Sequence, residues 1–528
     1  MAKFNTVSQS SGRVVKQNNE GTNVVEMKAL ETLFSKTMGS FFGESGYYES
    51  KNVNSSFKEL KDLVYQVREE DKEYVLKIAL LARNRNMISY PLQILTACFN
   101  DSRFNGENFK DLSTGTGLIS TYSDRIVRRA KDVNEVLASH FANYGNGSTL
   151  PKQMRKALKR KLESFDTFQL SMGRDTNSST KLSDSIKVLH PKPRNSTMES
   201  FYWDILEGKV TLGNGKKQVR SVLSESKGKT KEEVKTDLKS TVFTSTVLTL
   251  LKNLRVFYER GLFDDQEVVE YIVKTFSDKG QIERSKVLPF RFYTAHTSLE
   301  NFSGVGVSRV RESVSDALDL SINNVPELSG YNAILLDVSM SMYYGVSDNS
   351  TVKFSDIVSL LGAVAYKRGF SDLFIFSSSV EQVTVSRKST ILDIMRAIRR
   401  SSTFGGGTDL QRALNYVSSR SENSGVTYTN LILMTDSDCY GYFTTSLGGR
   451  VSPTHRHVQK LISDNRIRNL WLNNVQGNDF SVVNLDHPNM HLVTSFSESF
   501  LEMIRIYGDL GGGKDVRQLI DEMLETKK

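Results

Sequence analysis

The first 320 residues show apolar positions at the spacing of α-helices. From about residue 25 to residue 320, apolar side chains recur every three or four positions, which places them along one face of a helix. The segments 71–86, 149–165 and 241–261 are clear examples. Prolines and strand-like alternation are rare there. Helices that follow one another over about 300 residues are typical of an α-solenoid of HEAT type, although the sequence shows no clean repeat period.

The pattern changes after residue 325. Short apolar runs predict strands at 333–339, 372–379, 429–438, 470–477 and 491–496. Amphipathic segments predict helices at 354–369, 390–400, 408–420, 455–465 and 499–510. This alternation predicts a mostly parallel sheet covered on both faces, a doubly wound α/β fold. Since 528 residues are too many for one core, we predict two domains, a helical one at 1–325 and an α/β one at 326–528.

Composition adds a cellular context. Hydrophobic residues make up 38% and charged residues 24% of the chain, as in an ordinary globular protein. No apolar run is long enough for a membrane span, and the polar start shows no secretory signal. The two cysteines, Cys98 and Cys439, lie far apart and form no pair motif. These features argue against a disulfide scaffold and predict a cytoplasmic protein.

The positive charge is unevenly placed. Residues 1–325 carry 49 Lys and Arg against 39 Asp and Glu, whereas residues 326–528 carry 20 against 21. The surplus behind the net charge of +9 therefore belongs to the helical part. A basic surface attracts nucleic acid, although a modest surplus also serves solubility alone.

One predicted helix concentrates this charge on a single face. Its five basic residues have the spacing i, i+3, i+4, i+7 and i+8, and they are Lys152, Arg155, Lys156, Lys159 and Arg160. We call these five residues the basic strip. That spacing places them together, so the strip can bind RNA phosphates. A solvated outer face is the alternative.

Two further segments offer polar contacts to RNA. Arg174 and His190 flank a predicted helix, and Lys192 follows. His190 precedes a proline, so it is either a turn residue or a group that hydrogen-bonds or stacks on RNA. The polar stretch 213–233 is predicted to be a mobile connection or an insertion, and its basic residues either supply RNA contacts or lie in a plain loop.

Oxygen-bearing side chains follow the predicted strands of the α/β part. An apolar run ends at Asp337, with Ser339 and Ser341 after it; Thr408 follows a glycine run, and Asp436 ends another apolar strand. The carboxyl ends of parallel strands lie at one edge of a sheet, where ligands bind. Carboxylates and hydroxyls without His or Cys suit a hard divalent cation, Mg²⁺ best, with Mn²⁺ or Ca²⁺ as alternatives. Taken alone, an Asp or Ser after a strand often only caps the next helix, and a glycine run is often a plain loop.

The complete set resembles the metal-ion-dependent adhesion site of von Willebrand factor A domains. The resemblance implies that Ser339, Ser341 and Thr408 are direct ligands and that the two aspartates bind directly or through water. It also implies an open coordination position for an acidic side chain of a partner protein. Met340 departs from the glycine that many relatives carry, and it removes no ligand. Asp409 is interpreted as an acid favoured by the helix dipole.

Stretches along most of the chain resemble the TROVE module family, the Ro autoantigen ribonucleoproteins and their bacterial relatives. They are FFGESGYYES (41–50), EYVLKIALLARNRN (73–86), LPKQMRKALKRKLESFDTFQLS (150–171), KVLHPKP (187–193), LLKNLRVF (250–257) and LPFRFYTA (288–295), followed by the DVSMSM metal motif. The resemblance implies a monomeric ring of HEAT-like repeats closed by the A domain. In the family, single-stranded ends of misfolded or structured RNAs enter the central hole, and small Y RNAs bind outside.

By position, His190 matches a family histidine involved in small-RNA binding, and Arg174 falls near a matching basic position. We therefore expect an RNA-binding scaffold for RNA quality control, whose metal site recruits an acidic partner such as a nuclease. The sequence has no P-loop, no HExxH motif and no convincing nucleophile with its base, so we expect no enzymatic activity. The alternatives are a metal-dependent protein-adhesion module with a structural helical part, and an RNA-processing enzyme that uses the metal.

Overall fold

The computed structural model describes most of the chain, in separate stretches. They are residues 15–17, 23–26, 29–39, 53–85, 87–104, 117–145, 147–172, 180–209, 219–224, 226, 228–346, 352–401, 403–436, 453–475, 480–481, 489–494, 499–509 and 515–525. The chain divides into two compact units, each assembled from separate segments. The α/β unit comprises Met1–Ser40, Ile282–Thr294 and Ser315–Asp515, and the helical unit comprises Phe41–Gln281, Ala295–Val314 and Val516–Lys528. The domain boundary predicted at residue 325 stays a prediction.

Helices dominate the described residues. They are α1 Ala29–Gly39, α2 Val53–Gln66, α3 Lys72–Asn84, α4 Ser89–Asn100, α5 Leu118–Ile126, α6 Ala130–Tyr144, α7 Lys152–Ser164, α8 Thr167–Met172, α9 Leu182–Leu189, α10 Ser196–Leu206, α11 Val219–Ser224, α12 Lys231–Val242, α13 Val247–Glu259, α14 Gln266–Ser277, α15 Lys279–Ser285, α16 Pro289–Ser298, α17 Val305–Leu320, α18 Phe354–Arg368, α19 Ile391–Arg400, α20 Leu410–Ser424, α21 Pro453–Ser463, α22 Ser499–Asp509 and α23 Val516–Glu525. The strands are β1 Val15–Gln17, β2 Asn23–Glu26, β3 Leu328–Asp337, β4 Gly369–Phe376, β5 Val380–Gln382, β6 Tyr428–Thr435, β7 Ile467–Asn474, β8 Phe480–Ser481 and β9 Met490–Thr494.

The helical unit confirms the helical spacing seen in the sequence, with shifted boundaries. The segment predicted as one helix at 241–261 is interrupted, because Thr246 caps α13 by accepting a hydrogen bond from the Thr249 N–H. The stretch 213–233, predicted as a connection or insertion, contains α11 and the start of α12. The HEAT-type repeat stays a prediction.

The last helix of the chain, α23, packs against α3 within the helical unit. Lys77 Nζ lies 2.7 Å from Asp521 Oδ1, and Arg517 Nε lies 2.6 Å from Asp71 Oδ1. Leu519 is buried on the same helix. The apolar contact therefore supplies burial and the ion pairs set the register of α23 on α3.

A mixed six-stranded sheet forms the centre of the α/β unit. Its strand order is β5-β4-β3-β6-β7-β9, with β5 antiparallel and the other five strands parallel. The five strands predicted after residue 325 correspond to β3, β4, β6, β7 and β9, and the five predicted helices correspond to α18–α22. A separate small sheet joins β1, β2 and β8.

Both faces of the six-stranded sheet are covered by helices. On one face, Leu335 of β3 lies in a buried cluster with residues of α20 and α21. On the other face, Leu336 lies against α18, and a Cβ added at Gly362 would be 2.4 Å from Leu336 Cδ1. Successive residues of β3 thus point to opposite helical layers. This arrangement explains why the strand is a continuous apolar run.

The described residues contain no helix long and apolar enough to cross a membrane. Cys98 is a buried free thiol in α4, and Cys439 lies outside the described residues.

Candidate metal centre and nucleic-acid interface

The candidate metal centre begins at the carboxyl end of β3. Asp337 and Ser339 are fully buried there, and Ser341 is half-buried. The Ser339 N–H donates to Asp337 Oδ1 at 2.9 Å, and the Ser339 and Ser341 hydroxyl oxygens are 3.2 Å apart. The short 3₁₀ turn Met340–Tyr343 follows Ser339 directly. The three predicted side chains therefore lie together at one edge of the sheet.

The neighbouring strand β6 adds a second carboxylate. The Thr435 hydroxyl donates to Asp337 Oδ2 at 2.7 Å, and Asp436 is buried directly after β6. The pKa of Asp337 is raised to about 7, chiefly by burial and next by the charge of Asp436, while the hydrogen bonds from Ser339 and Thr435 act in the opposite direction. Two carboxylates thus share a poorly solvated site. The role of Thr435 has no signal in the motif, because it depends on the pairing of β3 with β6.

The glycine loop before α20 reaches the same edge. Gly405 and Gly406 have φ angles of 93° and 91°, in the region that favours glycine. The Met340 N–H donates to the Gly406 carbonyl at 2.9 Å, and the Gly405 N–H donates to the Val338 carbonyl at 2.7 Å. These bonds hold the loop that carries buried Thr408 against the end of β3.

Asp409 has a structural role at the start of α20. Its carboxylate accepts a hydrogen bond from the Arg412 N–H at 2.9 Å, so it is the N-cap of the helix. Its own N–H donates to the Ser377 carbonyl at the end of β4 at 2.8 Å. The sequence placed Asp409 near the helix start for its favourable charge, and the structure adds the cap.

The donor set fits a hard cation that is held largely by hydroxyls. Among the described residues, no three or more His, Cys, Asp or Glu side chains form a group able to hold a metal ion. The predicted set has only two carboxylates, Asp337 and Asp436, and depends on Ser339, Ser341 and Thr408 for its other oxygens. Two buried carboxylates close enough to affect one another form an anionic site that a divalent cation would neutralise.

The basic strip lies on the outer face of α7 in the helical unit. Lys152, Arg155, Lys156 and Arg160 are exposed and Lys159 is half-buried, while the opposite face of α7 is buried. Among the described residues, the side chains of the first four members of the strip form no hydrogen bond or ion pair. Arg160 differs, because it contacts Asp124 Oδ2 of α5 at 2.6 Å.

Two contacts place neighbouring segments beside α7. Arg160 contacts Asp124 near the end of α5, and exposed Arg125 and Arg128 follow Asp124 in the chain. The Arg128 side chain is engaged elsewhere, since it donates to the carbonyls of Arg125 and Arg83 and to the Asn84 side chain. The exposed Arg194 side chain donates to the Phe165 carbonyl at 2.8 Å, just beyond the end of α7. Because these residues lie outside α7, helical spacing along the chain could not join them to the strip.

The predicted RNA-contact residues outside the strip are only partly described. His190 is exposed and ends α9 with φ of 49°, a left-handed conformation that fits its interpretation as a turn residue. The exposed Lys192 lies beside α7, since its N–H donates to Glu163 Oε1 at 2.7 Å.

The other predicted contacts are described less completely. Arg174 lies outside the described residues. In the 213–233 stretch, Lys229 pairs with Asp237 at 2.6 Å.

Comparison with known proteins gives a family match to part of the chain and similar solved structures. The TROVE domain family matches residues 244–319. The chain is similar to the crystal structure of the RO (RSR) protein of Deinococcus radiodurans, with a TM-score of 0.62 and 14% sequence identity over 90% of this chain and 99% of that chain. At this identity the similarity shows a shared fold.

A second solved structure matches only weakly. Proximal thread matrix protein 1 from the mussel byssus is 18% identical over 34% of this chain and 48% of that chain, with a TM-score of 0.23. No curated protein sequence matches the chain.

Proposed function

We propose that this chain is an RNA-binding scaffold of the TROVE/Ro type rather than an enzyme. The TROVE domain match at residues 244–319 and the fold shared with the RO (RSR) protein support this proposal. The observation that carries the proposal is the basic strip on α7. Lys152, Arg155 and Lys156 are exposed, and their side chains have no acidic partner among the described residues. These cations can therefore bind phosphates without first breaking an ion pair within the protein, and little free energy is needed to desolvate them.

The chemistry of this surface favours backbone contacts over base readout. Lysine and arginine side chains pair with phosphate oxygens of any sequence, so affinity depends on salt and on the shape of the RNA. Exposed Arg194, beside the end of α7, would extend the contact beyond the helix. We propose that single-stranded ends of structured or misfolded small non-coding RNAs, including Y-like RNAs, are the ligands.

The proposal also takes its architecture from the family resemblance. It includes a ring of HEAT-like repeats closed by a von Willebrand factor A domain, with a hole too narrow for a duplex. Such a ring would select RNA ends by width, which suits RNA quality control.

In the α/β unit, we propose that Ser339, Ser341 and Thr408 bind a divalent cation directly, and that Asp337 and Asp436 neutralise its charge. When bound, Mg²⁺ would supply a Lewis-acidic position for a carboxylate of a partner protein, such as a nuclease. The chain's own residues hold this position: the Thr435 hydroxyl and the Ser339 N–H orient the two oxygens of Asp337. The glycine loop holds Thr408 in place through its contact with Met340.

Sequencing of the nucleic acid bound to the purified protein tests the RNA function. The test variant replaces Lys152, Arg155 and Lys156 with glutamine, which removes three charges and keeps helix propensity. The control replaces Lys388, Arg456 and Lys460 with glutamine; these exposed residues lie in the α/β unit. We expect bound small RNAs in the wild type and the control, and strong depletion in the test variant.

Other outcomes identify the alternatives. Metal-dependent capture of proteins without any co-purifying RNA would instead support an adhesion module with a structural helical part. The buried carboxylate and hydroxyl set at the sheet edge is the observation that favours this second candidate. Divalent-dependent cleavage of the bound RNA would contradict a scaffold without catalytic activity.

A further inference from the structure

The rim of the candidate metal centre exposes two large apolar side chains. Met340 is 61% exposed and Tyr344 is 71% exposed. Both belong to the α/β unit and to the segment that carries Ser339 and Ser341. Isolated exposed apolar residues are ordinary, but two within residues 340–344, beside a candidate ligand position, indicate a contact surface.

The backbone presents these side chains in a fixed position. The Met340 N–H donates to the Gly406 carbonyl at 2.9 Å. Met342, in the same 3₁₀ turn, is fully buried and fixes the turn to the core of the unit. The Tyr343 ring packs edge-on against Phe404, with 5.1 Å between the ring centroids. A surface held in this way loses little conformational entropy when a partner binds.

The exposed cation Arg412 is linked to the Met340 backbone through Ser378 and Gly406. Arg412 is exposed and donates from Nη1 to the Ser378 carbonyl at 2.7 Å. A Cβ added at Gly406 would be 3.1 Å from Ser378 Oγ, and the Met340 N–H donates to the Gly406 carbonyl, so successive contacts lead from Arg412 to Met340. Among the described residues, the Arg412 side chain has no acidic partner. Its remaining N–H groups suit a carboxylate.

We propose that the rim formed by Met340, Tyr344 and Arg412 binds a protein segment in which an acidic residue is flanked by large apolar residues. This inference rests on the proposed function, because the acidic residue would approach the metal centre. The flanking apolar side chains would cover Met340 and Tyr344, and Arg412 would attract a second acid of the segment. A phosphodiester brings negative charge but no aliphatic side chain to cover Met340, so a peptide fits this surface better than RNA.

Selection from a peptide library tests the inference on the full-length protein. The library fixes one Asp or Glu and randomises the neighbouring positions, and binding is selected in Mg²⁺ or Mn²⁺ with an EDTA control. We expect enrichment of Leu, Ile, Met or Phe beside the fixed acid. Replacing these neighbours by serine should weaken the selected peptides by roughly tenfold, the effect of burying most of one such side chain.

Variants assign the preference to the rim. Met340→Ala keeps the backbone N–H that bonds Gly406, so we expect unchanged metal uptake by calorimetry and loss of most of the apolar preference. Met340→Leu should restore the preference. Arg412→Gln should remove any enrichment of a second acid while leaving the apolar preference intact.

The failures of the two proposals are distinguishable. Intact metal uptake with no apolar preference, or a preference unchanged by Met340→Ala, overturns the rim inference and leaves the metal centre standing. Absence of metal uptake by the wild type overturns the metal centre itself. Metal-dependent binding of an oligouridylate that is weakened by Met340→Ala would show that RNA occupies the rim, which also overturns the inference.

Discussion

The basic strip makes a quantitative prediction about salt. Replacement of Lys152, Arg155 and Lys156 by glutamine removes three exposed cations whose side chains have no partner among the described residues. For single-stranded nucleic acid, the slope of log K against log salt changes by about 0.7 for each phosphate contact. Loss of three contacts therefore reduces the steepness of the slope by about 2, which corresponds to roughly a hundredfold weaker binding near ~0.1 M salt.

Fluorescence anisotropy of a labelled oligouridylate over a series of KCl concentrations measures this slope. The variant with Lys388, Arg456 and Lys460 replaced by glutamine has the same net charge and controls for long-range attraction. Thermal unfolding should be nearly unchanged in both variants, because exposed charges contribute little to stability. A slope that is the same in the wild type and the test variant, or reduced equally in the control, would refute the assignment of phosphate contacts to α7.

Three further predictions concern the α/β unit. Mg²⁺ at about a hundred times its dissociation constant should stabilise the wild type by about 2.7 kcal/mol, and Asp337→Asn should lose this shift in thermal unfolding. Gly405→Ala and Gly406→Ala should each lower the free energy of unfolding in urea by about 1–2 kcal/mol, because both positions have positive φ angles. Variants with an unchanged free energy of unfolding would contradict this account of the loop. Gly362→Ala should cost about 1–3 kcal/mol through its clash with Leu336, and Leu336→Ala in the same chain should relieve part of the loss.

Five strands of the α/β unit were predictable because burial on both faces requires continuous apolar strands. β3 and β6 stand out in the sequence for this reason, although β3 spans Leu328–Asp337 against the predicted 333–339 and β6 spans Tyr428–Thr435 against 429–438. The short strands β1, β2, β5 and β8 were not predicted. The helix α23 was not predicted. Its apolar residues have helical spacing, but its stability depends on burial against α3, which lies far away in the sequence.

The nucleic-acid interface shows the same division. Helical spacing alone predicted that the basic strip shares one face of α7, and the structure confirms this placement. The contact of Arg160 with Asp124 and the position of Arg194 beside the end of α7 depend on how α5 and the loop before α10 pack. Packing between elements decides which cations are paired with acids and which have no acidic partner among the described residues.

For the candidate metal centre, the sequence determined which donors are present, because an oxygen-bearing side chain follows each of two buried strands and a glycine run. Tertiary structure decided the arrangement. Pairing of β3 with β6 brings Thr435 and Asp436 to Asp337, across about a hundred residues of chain. Contact of the glycine loop with Met340 brings in Thr408 and leaves the methionine side chain exposed. Local sequence specifies which donors are present, and only the packing of distant segments fixes their distances and their burial.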